Sequence, residues 1–130
     1  MRCLLDTHTF VWAVQQPKLL SQTATELLEN PATQVFVSAV SIWEMSIKHQ
    51  LGKWQEVAAF MDDDLYNSFL LRLNATELEI SSRHARLAGQ FGAAHKDPFD
   101  RLLAAQAMLE GIPLISKDPI LESFGVTRVW

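Results

Sequence analysis

The first fifteen residues read Met1-Arg2-Cys3-Leu4-Leu5-Asp6-Thr7-His8-Thr9-Phe10-Val11-Trp12-Ala13-Val14-Gln15, an apolar run that stops at a carboxylate and then changes character. Arg2 to Leu5 is short enough for a buried strand, and Asp6 ends it. A helix is predicted from about His8 to Gln15. It stops before Pro17, because the residue ahead of a proline is pushed out of the helical region.

The same strand-then-helix alternation recurs downstream. Ser21 caps a second helix through Leu28, which ends near Asn30-Pro31. Gln34 to Ser38 is β-branched and aromatic and reads as a second strand. A third helix begins near Ser41 and closes at Gly52, a residue suited to the left-handed C-terminal position. A fourth is predicted over Gln55 to Leu73, interrupted around Asp62-Asp63-Asp64. Glu77 to Ile80 is a weaker strand, and Ser81 or Ser82 starts a helix ending near Gly92. Asp97-Pro98 opens another, with proline in its permitted first turn, and that helix runs to Gly111. Ile112 to Ser116 and Val126 to Trp130 complete the strands. The pattern predicts an α/β protein built from βα units around a parallel sheet.

The 130 residues suffice for one core, hence a single domain over 1–130. No apolar run approaches the length of a membrane span. Asp6 falls too early for the apolar stretch of a secretory signal. The lone Cys3 has no internal disulfide partner, so a reducing cytoplasmic location is expected. The formal net charge of −4 runs against nucleic-acid binding, which ordinarily needs a basic face. Acidic residues that hold divalent metal would reverse the local sign.

In open parallel sheets, ligands sit beyond the carboxyl ends of the strands. Asp6, Glu44, Asp100 and Asp118 all fall at or just past that predicted edge. Clustered carboxylates in a partly dry site bind protons or a cation. A histidine-poor, oxygen-rich set suits Mg2+ or Mn2+ rather than zinc, and such ions favour phosphate chemistry. Each residue also has a purely local reading. Asp6, with Thr7, caps helix one; Ser41-Ile42-Trp43-Glu44 and Asp97-Pro98-Phe99-Asp100 have the form of capping boxes; Asp118-Pro119 is a turn. Capping alone does not explain carboxylates from separate strands and helices on one rim.

The segments Leu4-Leu5-Asp6-Thr7-His8, Ser41-Ile42-Trp43-Glu44, Asp97 to Ala107 and Leu114-Ile115-Ser116-Lys117-Asp118 resemble those of PIN-domain toxins of the VapC type, in order and spacing over nearly the whole chain. The resemblance implies a three-layer α/β/α sandwich with a central, mostly parallel sheet of four or five strands. It implies a metal site of Asp6, Glu44, Asp100 and Asp118 holding Mg2+ or Mn2+, and RNA cleavage by metal-activated water. Asp6, Glu44 and Asp100 are then the core ligands, and Asp118 serves a second or weaker ion. Thr7, Ser116 and Asp97 support the site. The resemblance also implies a cognate antitoxin protein as partner, and a homodimer.

Arg101, beside the pocket, is the leading candidate for binding RNA phosphate, ahead of Arg72, Arg83, Arg86 and Lys96. His8, His49, His84 and His95 show no paired metal spacing. Trp43 and Trp54 flank helix three and read as core, or as a groove for a partner helix. Three other functions share parts of this pattern. A receiver-type phospho-accepting domain wants adjacent acids after strand one, and Asp6 stands alone. A phosphatase of the haloacid-dehalogenase type needs an acid two residues on, where His8 stands. A catalytically inactive PIN-like RNA-binding protein would not need the retained acidic set.

Overall fold

Leu4 and Leu5 are both fully buried, yet they belong to different cores on opposite sides of one sheet. In the computed structural model, which describes residues 1–130, β1 (Arg2–Leu5) is the central strand. It pairs in parallel with β2 (Gln34–Ser38) on one side and β4 (Leu114–Ile115) on the other, with Leu4 opposite both Phe36 and Leu114. β3 (Ala75–Leu78) lies outside β2, and β5 (Arg128–Val129) outside β4, again parallel. The order is β3-β2-β1-β4-β5. The two-residue side-chain period sends Cys3, Leu5, Val35, Val37 and Ile115 to one face and Leu4 and Leu114 to the other. A sheet buried on both faces is what all-parallel pairing requires.

The first face is covered by α1 (Thr7–Gln15), α2 (Gln22–Glu29), α3 (Ala39–Gln50) and α4 (Asp63–Arg72), through Phe10, Ala24, Met45 and Phe69. A 3-10 segment, Gln55–Met61, adds Val57 and Phe60. The second face is covered by α6 (Pro98–Glu110) and the 3-10 segment Pro119–Phe124, through Leu103, Ala104, Ala107, Leu121 and Phe124. α5 (Ser82–Gln90) packs on α6. The result is the three-layer α/β/α sandwich with five parallel strands. No helix is long and apolar enough to cross a membrane.

Several boundaries differ from the sequence reading: the last two strands shrink to Leu114–Ile115 and Arg128–Val129, and three changes fall elsewhere in the chain. α3 starts at Ala39, because Ser38, the last residue of β2, caps it by accepting from the Val40 amide at 3.0 Å. Ser41 therefore lies inside the helix, buried, with its Oγ accepting from the Thr7 hydroxyl at 3.0 Å. The expected Ser41 capping box does not form, so capping gives no reason for Glu44. The predicted fourth helix is a 3-10 segment followed by α4, capped by Asp62, whose Oδ1 accepts from the Leu65 amide. β3 begins two residues early, at Ala75, where pairing with Val35 sets its register after Asn74 turns the chain through a positive φ of 51°.

α5 opens on a complete capping box, in which the His84 amide donates to Ser81 Oγ and His84 Nδ1 accepts from the Ser81 amide. That leaves the buried Nε2 to donate to Glu110 on α6 at 3.0 Å.

Candidate active site

The order β3-β2-β1-β4-β5 reverses direction between β1 and β4, so a crevice opens beyond their carboxyl ends. Asp6 leaves β1 at that point. Its Oδ1 accepts from the Thr9 amide at 2.8 Å, capping α1, and its Oδ2 accepts from the Ser116 hydroxyl at 2.5 Å. Ser116 is fully buried at the end of β4 and also accepts from the Asp118 amide at 3.0 Å. One hydroxyl thus ties the ends of two strands to the carboxylate between them.

The other acids arrive by the same logic of strand ends and helix starts. Asp97 caps α6, accepting from the amides of Phe99 and Asp100. Asp100 follows in the first turn with no side-chain hydrogen bond of its own. Asp118 caps the 3-10 segment through the Ile120 amide at 3.0 Å. Local capping and site placement therefore coincide for Asp6, Asp97 and Asp118. Glu44 is different: it is buried within α3, one turn before Lys48, whose Nζ lies 2.5 Å from Glu44 Oε2.

Asp6, Glu44, Asp97, Asp100 and Asp118 line one cavity of about 450 Å3, together with Thr7, Lys48 and Lys117. Asp100 is pushed up to about 7, by burial first and then by the neighbouring charges of Asp97, Glu44, Asp118 and Asp6. Burial also raises Asp6, against the lowering effect of the bonds from Ser116 and Thr9. An acid whose folded pKa exceeds its unfolded value stabilises the fold at low pH, and that stabilisation is lost as pH rises toward 7. Asp100→Asn is thus expected to raise the melting temperature of the metal-free protein by a few degrees at pH 8 and to change it little at pH 4.5. Melting curves at the two pH values check this.

The donors fit a hard divalent cation in kind: all are carboxylate oxygens, and they share a cavity whose charge has no full internal compensation. As the side chains stand, no group of three is already arranged to grip a common ion. Glu44 is held by the Lys48 ammonium, and one Asp6 oxygen by Ser116.

Arg101 is not where the sequence reading puts it. Its guanidinium donates to the carbonyls of His95 (2.6 Å), Ala88 (2.8 Å), Phe91 (2.9 and 3.0 Å) and Gly92 (3.2 Å), and it lines no part of the cavity. It is a fastener for the α5–α6 connection, with its guanidinium engaged by backbone carbonyls rather than offered to the cavity. The cations that do face the cavity are Lys48 and Lys117. Lys48, four residues after Glu44 on one helix face, was legible as an i,i+4 pair. Lys117 carried no signal beyond its place next to Asp118, and Trp12 none beyond its place within α1.

The PIN domain family model matches residues 3–126. Among solved structures, the fold is similar to that of a DNA-bound VapBC complex of Salmonella typhimurium, with TM-score 0.68, 18% identity, and 99% of this chain and 97% of that one covered. It is also similar to a sarcin–ricin-loop-cleaving VapC toxin of Mycobacterium tuberculosis (TM-score 0.66, 14% identity, 98% of each chain covered). A VapBC complex of Rickettsia felis bound to promoter DNA gives TM-score 0.64 at 16% identity, covering 99% and 98%. Comparison with curated proteins gives no match. With 124 consecutive positions, nearly the whole chain, matched by that model, the chain belongs to the PIN domain family.

Proposed function

We propose that this protein is a divalent-metal-dependent endoribonuclease, the toxin of a VapC-type toxin–antitoxin pair. The observation that carries the reading is one cavity walled by carboxylates from the ends of β1 and β4, from inside α3 and from the start of α6. Similarity to a VapC toxin that cleaves the sarcin–ricin loop supports ribonuclease chemistry. Similarity to VapBC complexes supports a cognate antitoxin as partner and a cytoplasmic setting. A homodimer belongs to the same reading.

Asp6, Glu44 and Asp100 would hold a Mg2+ or Mn2+ ion, with Asp118 at its margin. When bound, the ion supplies charge neutralisation at a phosphoryl oxygen and lowers the pKa of attacking water. The chain's own residues orient that chemistry. Ser116 holds one oxygen of Asp6 and fixes the plane of its carboxylate. Asp97 anchors the first turn of α6 and so places Asp100. Thr7 and Ser41 bond to each other and join α1 to α3 beneath the cavity. Lys48 and Lys117 bring positive charge to a phosphate entering it.

The test is direct. Purified protein is expected to cleave single-stranded RNA with Mg2+ or Mn2+ and to stop on addition of EDTA, with activity restored by excess metal. Cleavage that persists in EDTA would refute the metal mechanism.

A further inference from the structure

Next to the acidic cavity, and sharing His8 and Lys48 with it, a shallow ledge is formed by His8, Lys48, Lys53 and Trp54. The exposed His8 ring lies against Trp54, with centroids 4.8 Å apart and planes 24° apart, so Trp54 backs one face of an imidazole open to solvent. Trp12 braces the same ring at 5.7 Å and 55°. Lys48 Nζ lies 5.7 Å from the Trp54 ring centroid, and Lys53 is exposed beside it. Lys117 flanks Trp12 on the cavity side, 6.0 Å from its ring centroid. In a chain of net charge −4, three lysines interleaved with stacked rings at the mouth of one cavity form a local exception.

We infer that this ledge is a nucleotide subsite: a base of single-stranded RNA stacks on the His8–Trp54 pair while Lys48 and Lys53 take an adjoining phosphate, feeding the strand to the acidic cavity. Stacking on aromatic or imidazole rings is how proteins hold unpaired bases without reading their edges, and lysines follow the backbone. A base in a duplex is already stacked and is not free to do this. An anionic protein segment would use the lysines but gain little from the rings. The subsite rests on the nuclease reading for its purpose, and it is testable without catalysis.

The experiment measures fluorescence anisotropy of a labelled single-stranded RNA of about ten nucleotides bound to the full-length protein in EDTA, where cleavage is off. His8→Ala, at an exposed side chain, is expected to weaken binding about tenfold, and His8→Phe to restore most of it. Lys53→Gln is expected to weaken binding and to lower the slope of log affinity against log salt by about 0.7, one single-strand phosphate contact. Fully duplexed RNA is expected to bind less tightly than the single strand and to be insensitive to His8→Ala. Circular dichroism confirms that each variant is folded. Equal affinity of parent and His8→Ala overturns the stacking subsite, as does failure of the parent to bind RNA. Equal loss for RNA and for an acidic peptide in the Lys53→Gln variant alone, with no effect of His8, assigns the ledge to a protein instead. Loss of metal-dependent cleavage with the ledge intact would refute the nuclease reading and leave the subsite standing.

Discussion

Asp6→Asn is expected to lower Mg2+-dependent RNA cleavage by about a thousandfold, while the fold melts within a few degrees of the parent. The activity loss follows from removing a charged ligand: several kcal/mol of charge stabilisation converts, at 1.36 kcal/mol per decade, to about three decades of rate. The fold is spared because asparagine caps a helix as well as aspartate does, so the bond from the Thr9 amide survives. Burial already works against an ionised Asp6, and asparagine removes that cost. Cleavage assays with the parent and Asp6→Asn, alongside thermal melts, separate the two effects. A variant that cleaves as fast as the parent would remove Asp6 from the mechanism.

The second large effect concerns stability. Arg101→Ala is expected to destabilise the protein by about 3 kcal/mol, because its guanidinium satisfies the carbonyls of His95, Ala88, Phe91 and Gly92 in a partly buried corner. For a chain of this size that corresponds to a fall in Tm of about 10 °C. Arg101→Lys is expected to recover little, since one ammonium cannot reproduce a planar fork spread over four carbonyls. The loop so fastened leads directly into Asp97 and α6, so the loss of activity should follow the loss of structure and disappear well below Tm. An unchanged Tm with weakened RNA binding would instead place Arg101 among the substrate contacts.

Asp6 shows why so much of the site was legible. Its position after an apolar strand and before a helix is read from Leu4-Leu5-Asp6-Thr7, and the sheet topology then fixes which rim it occupies. Asp97 and Asp118 are readable for the same reason, as acids where a helical turn must begin after an extended segment. The competition between capping and function, unresolved in the sequence, has a simple answer: helices begin where strands end, so one carboxylate serves both. Glu44 is the exception. The Ser41-x-x-Glu44 pattern mimics a capping box, and only the direct junction of β2 and α3, capped at Ser38, shows that the box is absent.

The features that escaped depend on long-range packing. Arg101 follows the catalytic-looking Asp100, yet helical geometry turns the two side chains to different sides of α6. One faces the cavity and the other the α5–α6 loop. Lys53 and Trp54 come together with His8 across more than forty positions, with no periodic signal linking them. Similarly, the negative net charge hides a basic, aromatic patch that only the fold assembles.

The claim on which the rest depends is that acids distant in the chain act as one cation site. Isothermal titration of Mn2+ into the parent, Asp6→Asn, Glu44→Gln and Asp100→Asn measures it directly. Loss of the same high-affinity binding event in all three variants, each still folded, is the expected result. Undiminished Mn2+ binding in any two of them would contradict a shared site.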